Sequence, residues 1–267
     1  MRCAMRDKIT EFIKERVALA DKGGIIENIW RTPIVKFGDA TRKEYDDFKT
    51  LIHREHATPR ELLPEAKTII AYFLPFREEI GDSNVDGKYA SEQWAKAYEK
   101  TNAFFASFNK ELIGWLSEQG YAAAVSPDAT TYDETLLVSK WSQRHVAYYC
   151  GLGTFGINNM LITEAGCCGR VSTVVTDLDV EHDAPVTEEY CLFKKDNSCG
   201  VCVNQCPVGA LSRYGFERRR CDAFCTETAA LHVGYSDAPS YELPGGLVGS
   251  NCCGKCVTSN PCTYQKP

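Results

Sequence analysis

Thirteen of the 14 cysteines fall between Cys150 and Cys262, and their spacing is the part of the chain best suited to chemistry. One run reads Cys191-x7-Cys199-x2-Cys202-x3-Cys206-Pro207. A second reads Cys253-x2-Cys256-x5-Cys262, with Cys221 upstream in Arg218-Arg219-Arg220-Cys221. A C-x2-C turn points two thiolates at one centre, and thiolates select zinc, copper or iron–sulfur clusters.

The run C-x2-C-x2-C-x3-C-P of bacterial ferredoxins holds [4Fe–4S] clusters, and its last cysteine ligates the neighbouring cluster. Here Cys199, Cys202 and Cys206 fill the last three positions, while Asp196 stands at the first. Cys191 is therefore expected as the replacement ligand. Cys221, Cys253, Cys256 and Cys262 supply four more thiolates, enough for two clusters. With the crossover, one takes Cys191, Cys199, Cys202 and Cys262, and the other takes Cys206, Cys221, Cys253 and Cys256. Spacing to Cys256 favours Cys253 over Cys252.

Rival readings are weaker. A single structural zinc on Cys199/Cys202 and Cys253/Cys256 leaves four cysteines unexplained. A disulfide scaffold needs an oxidising compartment. Neither C-x2-C is followed by His, as c-type haem attachment requires, and no C-x3-C-x2-C occurs for a radical-SAM site. Cys3, Cys150, Cys167, Cys168, Cys225 and Cys252 are expected to be small buried hydrophobes.

Upstream of the cysteines lies Gly151-Leu152-Gly153-Thr154-Phe155-Gly156, which fits G-x-G-x-x-G. A dinucleotide site needs a strand before these glycines and a helix after them. Seven residues separate Gly156 from the turn beginning at Glu164, too few for a crossover helix. The glycines are instead expected to admit close approach of a cofactor or another element. Just before them, Arg144 and His145 are candidates to line a cofactor cavity. The Arg would meet an anionic group, and the His would serve as proton donor or axial ligand. Tyr132, Asp133 and Glu134 are candidate acids. His53 and His56 fall in a polar early segment with no assigned role.

These residues need elements to hold them. Apolar spacing predicts a helix over 5–20 that ends at Gly23-Gly24. A short helix or turn follows at 59–66, then a buried strand at 68–74. Residues 90–119 predict a long helix, or two with a break near Gly114. Another helix is expected within 137–150, and a second strand over 171–178. The expected class is α/β (α+β), with a mixed sheet in an N-terminal domain of residues 1–185. A small ferredoxin-like domain is expected to follow over 186–267. The chain has 267 residues, is 44% hydrophobic and 25% charged, and carries a net charge of −6. That composition excludes a disordered chain and a global basic footprint for nucleic acid. Apolar runs are too short for a transmembrane helix, and the charged N-terminus has no apolar h-region. Membrane association is not expected, and a reducing cytoplasmic setting is.

With the residues in view, the chain resembles epoxyqueuosine reductase and the related corrinoid-dependent reductive dehalogenases. The resemblance rests on Gly151 to Asn159 with Leu161-Ile162, followed by C-x2-C-x3-C-P, then Arg-Arg-Cys221, then a second C-x2-C. Pro59 to Pro75, Tyr89-Ala90 and Tyr98 also look like the family. The resemblance covers roughly residues 50 to 262. It implies cobalamin held between an α/β domain and a two-cluster domain, with Arg144, Gly151, Gly153, Gly156 and Asn158 at the cofactor. It further implies a low-potential donor of ferredoxin or flavodoxin type and a small-molecule or tRNA substrate. In the family's reductase a catalytic aspartate precedes the glycine run by about fourteen residues. Here Leu137 holds that place, and Asp133 is the nearest carboxylate. The chain also ends soon after the second cysteine set, and its acidic balance argues against tRNA. An electron-transfer protein or reductive activator is the alternative.

Overall fold

The structure is a computed structural model that describes residues 2–127, 132–235, 242–243 and 246–267. The elements run α1 (Arg2–Ala20), β1 (Ile34–Asp39), α2 (Glu44–Leu51), α3 (Pro59–Leu62), β2 (Thr68–Pro75), α4 (Glu78–Ser83) and α5 (Glu92–Glu118). Next come β3 (Ala123–Ala124), β4 (Tyr132–Asp133), β5 (Val138–Ser139), α6 (Gln143–Tyr149), β6 (Thr154–Phe155), β7 (Leu161–Ile162) and β8 (Gly169–Thr176). The last part holds α7 (Leu192–Asp196), α8 (Val201–Gln205), α9 (Arg218–Leu231), β9 (Glu242–Leu243), β10 (Leu247–Val248) and a 3-10 turn at Lys255–Val257.

β2 organises the molecule because all eight of its residues are buried. Successive side chains of a strand face opposite ways, so a strand covered on both faces reads as a continuous apolar run. Ile70, Tyr72 and Leu74 join Ile9, Ile13, Phe108 and Leu112 of α1 and α5 on one face. Ile69, Ala71 and Phe73 join Tyr45 and Phe48 of α2 and Val146 and Ala147 of α6 on the other. The first core continues into the cysteine-rich part through Tyr190, Cys191, Cys252 and Val257.

The sheet order is β1-β2-β8-β3, and every pairing in it is antiparallel. The α+β class stands, but the parallel component of a mixed sheet is absent among the described residues. Between β1 and β2 the chain makes only the 8-residue α2 and the 4-residue α3. A helix that short returns the chain about 12 Å, against about 20 Å for a six-residue strand, so β2 starts where β1 ends and runs back. The helix expected within 137–150 is present as α6, but it starts only at Gln143, because the chain before it forms the β4–β5 hairpin. Leu137 takes a left-handed φ of 55°, and the Asp133 carboxylate accepts the N–H groups of Thr135 and Leu136, each at 2.8 Å. α5 runs unbroken through Gly114, which faces solvent while Leu112 and Leu116 are fully buried. The loss of about 1 kcal/mol for a mid-helix glycine is outweighed there.

Candidate functional site

Cys191 precedes the first turn of α7, Cys199 and Cys202 flank the start of α8, and Cys262 follows the 3-10 turn. These four cysteines line one shallow, partly open cleft, together with Gly156 and Asn158 of the glycine run. Asp196 is exposed, and its carboxylate accepts the Ser198 N–H at 2.9 Å instead of reaching the cleft. Burial pushes the Cys202 thiol up to about 12.

The other four cysteines lie around the end of α8 and the elements packed on it. Cys206 ends that helix, Cys221 lies in the first turn of α9, and α8 packs on the 3-10 turn that carries Cys256. Burial raises the Cys256 thiol, and Cys253, Cys221, Cys202 and Cys206 all act electrostatically on it, so a thiol of the first group lies near it as well. Burial pushes Cys253 up to about 11, with Cys221 and Cys206 among its neighbours. Cys252 is buried, and Cys253, Glu99 and Arg170 act on its thiol electrostatically. Four of the eight cysteines thus line one cleft and the other four lie near one another in the same cysteine-rich part, while among the described residues no three Cys, His, Asp or Glu close around a single ion. Thiols held neutral by burial must release protons to bind metal, and an iron–sulfur cluster draws them off on assembly.

Of the remaining cysteines, Cys150, Cys167, Cys168 and Cys252 are buried, as expected, and Cys225 is half-buried. Two of them are more than filler. Cys167 Sγ lies 3.9 Å from Cys262 Sγ. A hydrogen bond from Cys225 lowers the Cys221 thiol to about 7. The side chain of Cys3 lies outside the described residues.

The glycine run closes the β6–β7 hairpin, so a strand follows it where a nucleotide site would need a helix. Gly151 has φ of 81°, and a Cβ there would strike the Ala184 carbonyl oxygen. A Cβ on Gly153 would strike the carbonyl oxygen of Ile162. Close approach is confirmed, and the element approached is the chain's own backbone. Asn158 Nδ2 donates to the Cys256 carbonyl at 2.9 Å, tying this loop to the second cysteine group.

Arg144, in the first turn of α6, donates to the Asn159 carbonyl at 2.6 Å and to Met160 Sδ at 3.2 Å. Burial lowers its pKa, with Arg218 and Arg170 adding repulsion and Cys256 and Cys221 opposing it. Arg170 stacks over Tyr98 at 4.1 Å, and Arg218 donates to the carbonyls of Leu136 and Leu137. Among the described residues, neither Arg144 nor Arg218 has a carboxylate at ion-pair distance.

His145 Nδ1 lies 2.7 Å from Ser142 Oγ, and the ring packs between Phe48 and Phe155. Burial, then the charge of Arg144, pushes its pKa down to about 4. It is therefore neutral at neutral pH. Asp133 sits on β4, where its carboxylate meets His53 Nε2 at 3.1 Å. The N–H of Leu136, then His53, hold its pKa below the carboxylate norm. His56 accepts the Ser142 N–H at 2.9 Å and stacks on Trp141. The site thus gathers two histidines that the sequence left without a role, His53 and His56, together with Arg170. Their partners lie more than 70 residues away, and no local motif announces them.

No family model matches the chain. It is 28% identical over 183 residues to the epoxyqueuosine reductase of Bacillus subtilis, aligning 65% of this chain with 43% of that protein. It is 23% identical over 269 residues to the epoxyqueuosine reductase of Staphylococcus aureus, aligning 90% of this chain with 64% of that one. The chain spans about half the length of most curated relatives it matches. Among solved structures, epoxyqueuosine reductase from Streptococcus thermophilus shares the fold at a TM-score of 0.58 and 18% identity, over 98% of this chain and 67% of that one. A catabolic reductive dehalogenase gives 0.53 at 16% identity, over 87% of this chain and 30% of that one. An epoxyqueuosine reductase solved with a modified tRNA-Tyr stem loop gives 0.52 at 22%, over 83% and 58%. Among the described residues no helix is long and apolar enough to cross a membrane.

Proposed function

We propose that the chain is an iron–sulfur oxidoreductase similar to epoxyqueuosine reductase, holding two [4Fe–4S] clusters and acting with cobalamin on a reducible substrate. Residues 1–185 would hold corrinoid and substrate, and residues 186–267 the clusters. What supports this reading is the cleft that Cys191, Cys199, Cys202 and Cys262 line together with the glycine run, with Cys206, Cys221, Cys253 and Cys256 close to it. When bound, the clusters supply single electrons at low potential, and the corrinoid supplies a reduced cobalt.

Each neighbouring side chain has a task this geometry supports. Arg144, Arg170 and Arg218 offer guanidinium groups beside the second cysteine group, suited to an anionic part of a ligand. His145, neutral near pH 7, can accept a proton or a hydrogen bond but is a poor acid there. Asp133 with His53 is the pair better placed to hold and pass a proton. The gly-rich run, through Asn158, ties this region to the second cysteine group. Reducing power would come from a low-potential donor of ferredoxin or flavodoxin type. The relative bound to a modified tRNA stem loop makes an epoxide-bearing nucleoside in RNA the first substrate to try.

The test is a cobalamin titration of anaerobically reconstituted protein, followed through the corrinoid's visible spectrum. A saturable spectral change that weakens in Arg144→Gln at unchanged iron content supports the reading. Intact clusters with no spectral response to any corrinoid would identify an electron-transfer protein instead. Loss of iron in Arg144→Gln would make that residue structural.

A further inference from the structure

Behind the first cysteine group stands a thiol that does not reach the cleft. Cys167 Sγ is 3.9 Å from Cys262 Sγ, and the Cys167 N–H donates to the Cys262 carbonyl at 2.8 Å. The next residue repeats the clamp, with the Cys168 N–H donating to the Thr263 carbonyl at 3.0 Å. Cys167 is 1% exposed. Cys191, Cys199, Cys202 and Cys262 line the cleft and Cys167 does not, so it meets Cys262 from the protein side. The second group has a counterpart by position, since Cys225 lies one helical turn from Cys221 on α9.

We propose that Cys167 is a positioning residue: its thiol donates a hydrogen bond to the ligand sulfur of Cys262 and thereby raises the reduction potential of the first cluster. The proposal rests on the reading of that foursome as a cluster site. Once Cys262 is a metal-bound thiolate it has no proton to give, so the hydrogen bond can run only from Cys167 to Cys262. A second thiolate at that distance would add negative charge beside an anionic cluster in a low-dielectric setting, which keeps Cys167 a thiol. The donor draws electron density from the ligand sulfur. That stabilises the form carrying one more electron, and hydrogen bonds to the sulfurs are among the factors that set such potentials. One electron enters the cluster, and no proton moves.

The experiment is a redox titration of the anaerobically reconstituted full chain, monitored by electron paramagnetic resonance, in wild type, Cys167→Ala, Cys167→Ser and Cys225→Ala. All four are expected to hold the same iron. Cys167→Ala should shift the first cluster's reduction equilibrium toward the oxidised form by about tenfold, which is about 59 mV for one electron. Cys167→Ser, which keeps a donor, should stay at or above the wild-type potential. Cys225→Ala should leave that cluster in place and move the other. An unchanged potential in Cys167→Ala, an equal shift in Cys225→Ala, or loss of about half the iron in Cys167→Ala (which would make it a ligand) overturns the proposal. A wild-type chain that assembles no cluster overturns the underlying reading, and does so before any variant is compared.

Discussion

Assignment of eight cysteines to two groups makes a quantitative demand on double substitutions. With one [4Fe–4S] cluster on each group of four thiolates, as proposed, the reconstituted chain would carry about eight iron atoms. Cys202→Ala removes one of the four thiols lining the cleft. It should lower iron to about four and halve the absorbance near 400 nm. Cys199→Ala with Cys262→Ala should do no more than either alone, because both serve the same cleft although 62 residues lie between them. Cys202→Ala with Cys206→Ala should leave almost no iron, although only three residues separate them, because the proposed assignment gives them to different clusters. Cys252→Ala, facing the core, should change nothing. The assay is iron and labile-sulfide analysis beside the visible spectrum. Half occupancy in Cys202→Ala/Cys206→Ala, or additive loss in Cys199→Ala/Cys262→Ala, would refute the grouping, and one zinc without labile sulfide would refute the clusters.

Gly153→Ala should destabilise the protein by about 1–3 kcal/mol, because its methyl group strikes the Ile162 carbonyl; a thermal melt unchanged from wild type would contradict the packing. His145 titrates near 4 when folded against 6.5 when unfolded, so its contribution is complete above pH 6.5 and lost as pH falls toward 4, at most about 3 kcal/mol. The stability difference between wild type and His145→Gln, followed by denaturant unfolding of the metal-free chain from pH 8 to 4.5, should therefore narrow in acid. A constant difference would show that burial does not hold the imidazole neutral. Lys255 is 2% exposed and donates to the carbonyls of Asn84 and Asp86 at 2.9 and 2.7 Å. Lys255→Met orphans those carbonyls at a cost of about 1–3 kcal/mol, measurable as a lower melting temperature and faster hydrogen exchange across residues 84–86.

What could be read from the sequence was what is local. Cys199, Cys202 and Cys206 announce themselves because their geometry is set within eight residues, and Asp196 in the vacant position pointed to Cys191. β2 and β8 were legible because burial on both faces demands an unbroken apolar run. β1 was not, because Lys36, Gly38 and Asp39 dilute its pattern and its pairing with β2 decides it. The hairpin ahead of α6 depends on a carboxylate capping its own turn, which competes with a helical reading of the same letters. The contacts of Asp133 with His53 and of Cys167 with Cys262 bridge 80 and 95 residues. They arise only when the sheet brings α2 beside β4 and the end of the chain beside β8.

The five residues of α8 act as a ruler. Cys202 and Cys206 are four residues apart on or at the end of one helical turn, a rise of about 6 Å, and the proposed assignment gives each to a different cluster. One inserted or deleted residue would swing one sulfur about 100° around the helix axis, uncoupling the two groups and spoiling at least one of them. Substitutions in this turn can be absorbed, but changes in its length cannot, so this stretch should tolerate variation in side chain and none in residue count.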